Sequence, residues 1–187
     1  MQSVLTIPGS DYVRYYCNNS TYLRTIDGHT YIQVPYEAIK VGTNLTFTLK
    51  YPEWQDALSS NAFSITPGYV LPEYLKIELN KKEYKVGDDI IVTIHIVDKF
   101  GNSSADFHPD NTFYINAPNA TPTLRGYIGY GVQFKDWIKI DDYTYQVTYK
   151  ATKVGTDLQI YALRADYSTM RNHRVYKVGD KFSIVDN

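Results

Sequence analysis

Residues 33–45 read QVPYEAIKVGTNL, and residues 146–158 read QVTYKATKVGTDL. Nine of these thirteen positions are identical at a constant offset (146 − 33 = 113). The tripeptide Phe-Ser-Ile also occurs twice, at 63–65 and at 182–184. Repetition at this spacing indicates two copies of one structural unit. It predicts two domains in this chain of 187 residues, at 1–70 and 71–187, with GYVLPEY at 68–74 as the linker.

The composition and the periodicity of the chain favour strands. Tyrosine is unusually frequent, with 19 residues, and it has a high strand propensity together with Ile, Val and Thr. Apolar and polar residues alternate with a period of two in four runs, and Gly/Asn turn sequences separate them. The runs are Leu75–Leu79, Ile90–Ile96, Tyr143–Tyr149 and Leu158–Ala162. The best helical candidate, PEWQDALSS at 52–60, is predicted to be a short helical turn.

These patterns predict an all-β fold. Residues 74–187 are expected to form one sandwich of about seven strands. A hairpin over residues 143–163 is expected to turn at Lys153-Val154-Gly155. Val147, Leu158 and Ile160 are expected to be buried.

Two segments resemble a known family. YKVGDDIIVTIHIVDKFGN at 84–102 resembles the opening strands of invasin-type bacterial immunoglobulin-like repeats. DYTYQVTYKATKVGTDLQIYAL at 142–163 is similar to the late hairpin of invasin-type and filamin-type repeats. The resemblance implies two immunoglobulin-like β-sandwich domains in tandem, the first of them short. Such modules serve as adhesin spacers, cytoskeletal cross-linkers and phage virion domains, so the resemblance implies a fold more than a task.

Charge and cysteine content exclude several classes of protein. The 19 basic and 20 acidic residues nearly cancel, which argues against nucleic acid as a partner. Cys17 is the only cysteine, so no disulfide forms within the chain. The sequence has no apolar run long enough to span a membrane and no recognisable secretory signal at its start. We therefore expect no membrane association.

The chain contains none of the common catalytic motifs, so we predict no enzymatic activity and no cofactor. The segment Asp106-Phe107-His108-Pro109-Asp110 could supply ligands for a cation, but polar loop residues around a proline explain it more simply, and we predict no metal. Asp98 with Gly101-Asn102 is open to the same two interpretations, because Asp and Asn near Gly are also common turn residues.

One segment, LRGYIGYGVQF at 124–134, has the composition of a recognition loop. Tyrosine provides a large amphipathic contact area at low entropic cost, and glycine allows the backbone to adapt. The candidate partner-binding residues are Arg125, Tyr127, Tyr130 and Phe134. The alternative is an irregular strand whose tyrosines cover the sandwich.

Immunoglobulin-like tandems usually act outside the cell, yet this sequence has no recognisable export signal. A bacteriophage virion protein, assembled in the host cytoplasm and released by lysis, would reconcile the two observations. The leading expectation is therefore a non-enzymatic head decoration, neck or tail accessory that binds itself and other virion proteins, with a host-surface ligand as a further partner. The alternatives are a fragment of a bacterial surface adhesin and a carbohydrate-binding module.

The short first copy leads to a prediction about assembly. It keeps the late strands of the repeat, but about 30 residues precede its Tyr31, so we expect neighbouring chains to cover its open sheet edge. A fragment of residues 1–72 should then oligomerise or aggregate in gel filtration with light scattering. A cooperatively folded monomer would instead show that Val4–Ile7 and Tyr12–Cys17 complete the unit within one chain.

Overall fold

The structure is a computed structural model that describes residues 4–6, 13–15, 22–33, 36–50, 55–107, 113–123, 131–165 and 173–186. The chain divides into two compact units, Met1–Pro67 and Gly68–Asn187. The described elements are β-strands except for two short 3-10 helices, Pro72–Tyr74 and Phe134–Asp136. The predicted all-β class is therefore confirmed.

The structure describes strands in both units. In the described part of the first unit they are β1 (Val4–Thr6), β2 (Val13–Tyr15), β3 (Tyr22–Ile26), β4 (His29–Gln33), β5 (Tyr36–Ala38), β6 (Gly42–Leu45), β7 (Thr48–Lys50), β8 (Leu58–Ser59) and β9 (Phe63–Ile65). In that of the second unit they are β10 (Lys76–Leu79), β11 (Glu83–Lys85), β12 (Asp89–His95), β13 (Phe113–Asn116), β14 (Ala120–Pro122), β15 (Val132–Gln133), β16 (Ile138–Lys139), β17 (Thr144–Ala151), β18 (Gly155–Ala165) and β19 (His173–Val185).

Two five-stranded sheets form the second unit. One has the order β10-β12-β17-β14, with β16 also paired to β17, and the other has the order β11-β19-β18-β13-β15. Every pairing is antiparallel except that of β11 with β19, which is parallel. This is the two-sheet arrangement of an immunoglobulin-like sandwich. The described part of the unit holds ten strands, where about seven were expected, because its edge strands are divided into short pieces.

The predicted alternation explains the core between the sheets. On β12, Ile90, Val92 and Ile94 are fully buried and alternate with half-buried residues. Val147 on the neighbouring β17 and Ile160 on β18 of the other sheet are also fully buried, as predicted. Burial of each of these side chains contributes roughly 1.5–3 kcal/mol, so the core between the two sheets contributes strongly to the stability of the unit.

The predicted hairpin over residues 143–163 is wrong. The turn lies at residues 152–154 as expected, but β17 pairs with β12, β14 and β16, whereas β18 pairs with β13 and β19. The two strands therefore belong to opposite sheets. The turn is a crossover between the sheets.

Three smaller expectations also change. Leu158 is only half-buried and packs at the margin of the core. The segment 68–74 is not a free linker, because Val70 within it is 3% exposed and belongs to the core of the second unit. The helical turn predicted for residues 52–60 is wrong over its described part, which contains the strand β8.

The duplicated sequence adopts the same strand register in both units. In the first unit Gly42 pairs with Ile65 and Leu45 with Phe63, with a register shift between them. In the second unit Gly155 pairs with Ile184 and Leu158 with Phe182, with a register shift at the same place. Asn44 and Asp157 stand at equivalent positions in this bulge (157 − 44 = 113) and have φ angles of 54° in both cases. The two segments therefore share a backbone conformation as well as a sequence.

The strands that follow the bulge also correspond. Thr48 pairs with Ser59 and Leu49 with Leu58 in the first unit. At the same offset of 113, the second unit pairs Tyr161 with Val178 and Ala162 with Lys177. Hence β6 and β7 correspond to β18, and β8 and β9 correspond to β19. Whether the first unit is a short sandwich of its own stays a prediction.

A mutational series tests the assigned core. Ile160→Ala should lower the free energy of unfolding by about 2–5 kcal/mol, because it removes a fully buried side chain and leaves a cavity. Leu158→Ala should cost less, about 1–2 kcal/mol, since its side chain already reaches solvent. The control Val154→Ala, at a position that is 50% exposed, should stay within about 0.5 kcal/mol. Urea denaturation gives this ranking, and equal costs for Leu158 and Ile160 would contradict the packing.

Candidate functional site

The predicted recognition loop ends at Gly131, which lies against β13. Arg125, Tyr127 and Tyr130 lie outside the described residues. Gly131, which follows them, has a φ of 137°, and a Cβ atom there would stand 2.2 Å from the carbonyl oxygen of Ile115. Only glycine permits this approach of two backbone segments. Gly131 is therefore held against Ile115, and the role of the loop in binding stays a prediction.

Phe134, the fourth candidate, lies in an aromatic cluster. It is half-buried and packs edge-on against Phe107 and Trp137, with ring centroids 5.5 and 5.0 Å away, and tilted against Tyr145 at 5.4 Å. The indole nitrogen of Trp137 donates to the carbonyl oxygen of Val132 at 3.1 Å. These contacts stabilise the segment after the loop, and the partner-binding role of Phe134 stays a prediction.

Asp98 organises the turn after β12. Its side chain is 3% exposed, and Oδ1 accepts hydrogen bonds from the backbone N–H groups of Phe100 and Asn102 at 2.9 and 3.0 Å. Oδ2 accepts from the Asn102 side-chain amide and from the Gly68 N–H, both at 2.9 Å. This carboxylate therefore ties the first residue of the second unit to the turn. Of the two interpretations of the Asp98-Gly101-Asn102 sequence, the geometry matches turn chemistry.

The ionised form of Asp98 is the stable one in this turn. Burial by itself raises the pKa of the carboxyl group, but the hydrogen bonds from Asn102, Gly68 and Phe100 outweigh it and hold the pKa below the ordinary value of 3.8. A buried carboxylate that accepts this many hydrogen bonds has its charge compensated by dipoles. It is therefore ionised near neutral pH and does not serve as a general acid there.

The sheet that contains β10, β12 and β17 carries a histidine between a threonine and a glutamate on its outer face. His95 Nδ1 stands 3.5 Å from Thr144 Oγ1, and His95 Nε2 stands 3.4 Å from Glu78 Oε2. The order of groups is that of a hydrolytic triad. Both distances are at the limit of a hydrogen bond, and Glu78 also pairs with Lys76 at 2.6 Å, which together with His95 lowers the pKa of Glu78. The three groups lie on the neighbouring strands β10, β12 and β17 of one sheet. The arrangement is a cross-strand ladder of surface groups.

Metal-binding geometry is not found in the described part of the chain. There, no three His, Cys, Asp or Glu side chains lie close enough together to hold an ion. Asp106 is exposed, while His108 and Asp110 lie outside the described residues, so the predicted lack of a metal in this segment stays a prediction.

An open cleft of about 300 Å³ lies beside the Asp98 turn. Lys76, Lys99, Lys177 and Glu73 are among its lining residues, and the lining includes no histidine, cysteine or serine. Its volume is at the lower limit of small-molecule pockets, at roughly 300 Å³. The cleft therefore has lysine side chains near the Asp98 carboxylate, which already accepts hydrogen bonds from Gly68, Phe100 and Asn102.

No protein-family model and no curated protein sequence matches the chain. The solved structure of FdeC, described as a novel, broadly conserved Escherichia coli adhesin eliciting protection against urinary tract infections, is similar with a TM-score of 0.44 and 14% sequence identity. The match covers 99% of this chain and 52% of that chain, so this chain spans about half of its length. Over the described residues, no helix is long and apolar enough to cross a membrane.

Replacing Asp98 tests the role of the buried carboxylate. Asp98→Asn puts an amide donor where N–H groups already point, and it should cost about 1–3 kcal/mol in the free energy of unfolding at pH 7. The exposed Asp180→Asn is the matched control and should change stability by less than about 0.5 kcal/mol.

The same pair of variants has a defined pH dependence. Because the pKa of Asp98 is lower in the folded protein than in the unfolded chain, the stabilisation by its ionised form is complete above pH 3.8 and is lost as the pH falls through the folded-state pKa. The stability difference between the wild-type protein and Asp98→Asn should therefore narrow at acidic pH. A difference that is constant down to about pH 2 would contradict this account.

Proposed function

We propose that the chain is a non-enzymatic surface protein of the adhesin type, in which immunoglobulin-like units in tandem hold a binding loop away from the surface that carries them. The observation that carries the proposal is the repetition of one turn and bulge, with the same register and the same positive φ, in both units. Repeated units of one type extend a chain without creating a new pocket. Such an architecture suits presentation and spacing better than chemistry on a small molecule.

The segments that resemble invasin-type repeats support this proposal. KVGD at 85–88 connects β11 to β12, with Gly87 at a φ of 95° and the Asp88 side chain accepting from the Lys85 N–H at 3.2 Å. Asp98 fixes the next turn in the way described above. The charged and polar groups at the turns of this resemblance are thus engaged in holding the sandwich together. Nothing in the described structure or in the comparisons supports the bacteriophage virion prediction or the virion localisation.

The binding surface in this proposal is the loop that ends at Gly131. Tyr127 and Tyr130 supply aromatic area and Arg125 supplies a cation, the residue types that dominate protein recognition. Phe134, which follows the loop in sequence, packs in the aromatic cluster with Phe107 and Trp137. Recognition by a loop on a rigid sandwich needs no cofactor and no change in the fold.

Binding of the labelled chain to cultured epithelial cells, to matrix proteins and to a glycan array tests the proposal. We expect saturable binding to cells or matrix proteins, and Tyr127→Ala combined with Tyr130→Ala should weaken it by about tenfold or more, since two aromatic anchors are removed. The melting temperature should stay nearly unchanged. Tyr69→Ala, at a tyrosine that is 72% exposed outside the loop, is the matched control and should bind normally.

The other outcomes are also informative. Binding to the glycan array alone would favour a carbohydrate-binding module. A lower melting temperature with intact binding would show that the two tyrosines pack on the sandwich. No binding to any of the three surfaces would reject the adhesin function.

A further inference from the structure

The first unit contains a strand that corresponds to β13 of the second unit but comes from a different place in the chain. In the second unit, β13 pairs with β18 through Ile115 and Ala162 and through Asn116 and Tyr161. In the first unit, β1 pairs with β7 through Leu5 and Leu49 and through Thr6 and Thr48. Since Leu49 and Thr48 correspond to Ala162 and Tyr161 at the offset of 113, Leu5 stands in the place of Ile115 and Thr6 in the place of Asn116. Both pairings are antiparallel.

The chain order of the two strands differs. The β13 strand follows β12 and precedes β14, so the chain on both sides of it belongs to the same sandwich. The β1 strand instead precedes β2, which pairs with β5. Ala38 on β5 corresponds to Ala151 on β17 (151 − 38 = 113), and Tyr36 corresponds to Tyr149 in the same way. In the first unit, β1 therefore occupies the place that β13 has in the second unit. It precedes the duplicated strands in the chain, as it would in a circularly permuted copy.

This position makes β1 separable from the rest of the unit. Among the described strands, β1 is the outermost in its sheet, which has the order β1-β7-β8, whereas β13 is also paired on its other side by β15. Of the ladders in the described part of the unit, withdrawal of β1 opens the three-residue ladder with β7 and leaves the pairing of β2 with β5 and of β6 with β9 in place. Short edge strands of this kind are the least stable part of a sheet.

An edge that has lost its strand accepts another extended segment in the same register. The segment that reproduces the ladder without any new contact is residues 4–6 of a second copy, because its sequence is identical. We propose that the edge of β7 is an interaction site for β1 of a second copy of this chain, so that two copies associate by exchanging this strand. The proposal is independent of the adhesin function, because it concerns the first unit and the candidate binding loop lies in the second.

Interchain disulfides at register positions test the exchange. In a background in which the only cysteine is replaced (Cys17→Ser), one chain carries Thr6→Cys and a differently tagged chain carries Thr48→Cys, and both are expressed in the same cell. Directly opposite residues of an antiparallel pair have Cα atoms about 4.5–5.5 Å apart, which suits a disulfide. Exchange predicts a disulfide that joins the two tags. A second in-register pair, Val4→Cys with Lys50→Cys, provides the same readout if the first variant folds poorly.

Two controls make the result specific. Val4→Cys with Thr48→Cys is out of register by two residues and should give about tenfold less linked product, because its Cα atoms are too far apart. Asn116→Cys with Tyr161→Cys is the equivalent pair of the second unit and should link only when both cysteines are on one chain. The proposal would be overturned if a chain that carries both Thr6→Cys and Thr48→Cys forms the disulfide within itself, while two chains that carry one cysteine each are not linked. No disulfide in either arrangement, or linkage between chains equal to that of the out-of-register pair, would also overturn it.

Discussion

The crossover at residues 152–154 is the constraint on which the sandwich depends, because it carries the chain from one sheet to the centre of the other. Asn119 holds this crossover. Its carbonyl oxygen accepts from the N–H groups of Thr152 and Lys153, and its side-chain amide donates to the carbonyl oxygen of Val154 at 3.1 Å. A Cβ atom on Gly155 would stand 2.5 Å from that amide nitrogen. A side chain at Gly155 of the repeated KVGT sequence would therefore have to displace the Asn119 amide that donates to Val154. The strands on either side of the crossover face one core from opposite sheets.

Other polar residues of the second unit also form hydrogen bonds at turns. Asp88, Asp98 and Asn119 each accept or donate several hydrogen bonds at turns, and the salt bridge of Lys150 with Asp89 lies on neighbouring strands. These polar side chains fix the turns and the ends of the strands. The loops and edges of a sandwich can vary in sequence without loss of its core.

Much of the fold was predictable from local pattern. Alternation in IIVTIHIV identified Ile90, Val92 and Ile94 as core, and the Phe-Ser-Ile tripeptides both lie in the last strand of their units. Alternation shows which residues face inward, but it does not show which sheet a strand joins. Alternation alone therefore predicts a hairpin after β17, where the structure has a crossover. Leu158 directly follows the register shift after Gly155 and is only half-buried, although it shares a face with the fully buried Ile160.

The candidate site was less accessible to prediction, because its parts meet through long-range contacts. Phe134 reads as a loop residue in sequence, but the chain brings Phe107 and Tyr145 against it from other parts of the unit. Asn119 gave only a weak signal, as an asparagine in a turn sequence, although its φ of 58° and its hydrogen bonds hold the crossover. Composition predicted that a recognition loop exists between 124 and 134, and geometry fixed only where that loop ends.

The parallel pairing of β11 with β19 has a mechanical consequence. The two strands stand near the start and the end of the second unit, and they are joined by hydrogen bonds such as Ser183 N–H to Lys82 O at 2.9 Å and Val86 N–H to Val185 O at 3.0 Å. Tension applied to the two ends of the unit pulls these strands in opposite directions along their length. The hydrogen bonds are then loaded in shear and share the force, instead of opening one after another. A chain of such units would transmit tension along its axis before any of them lost its fold.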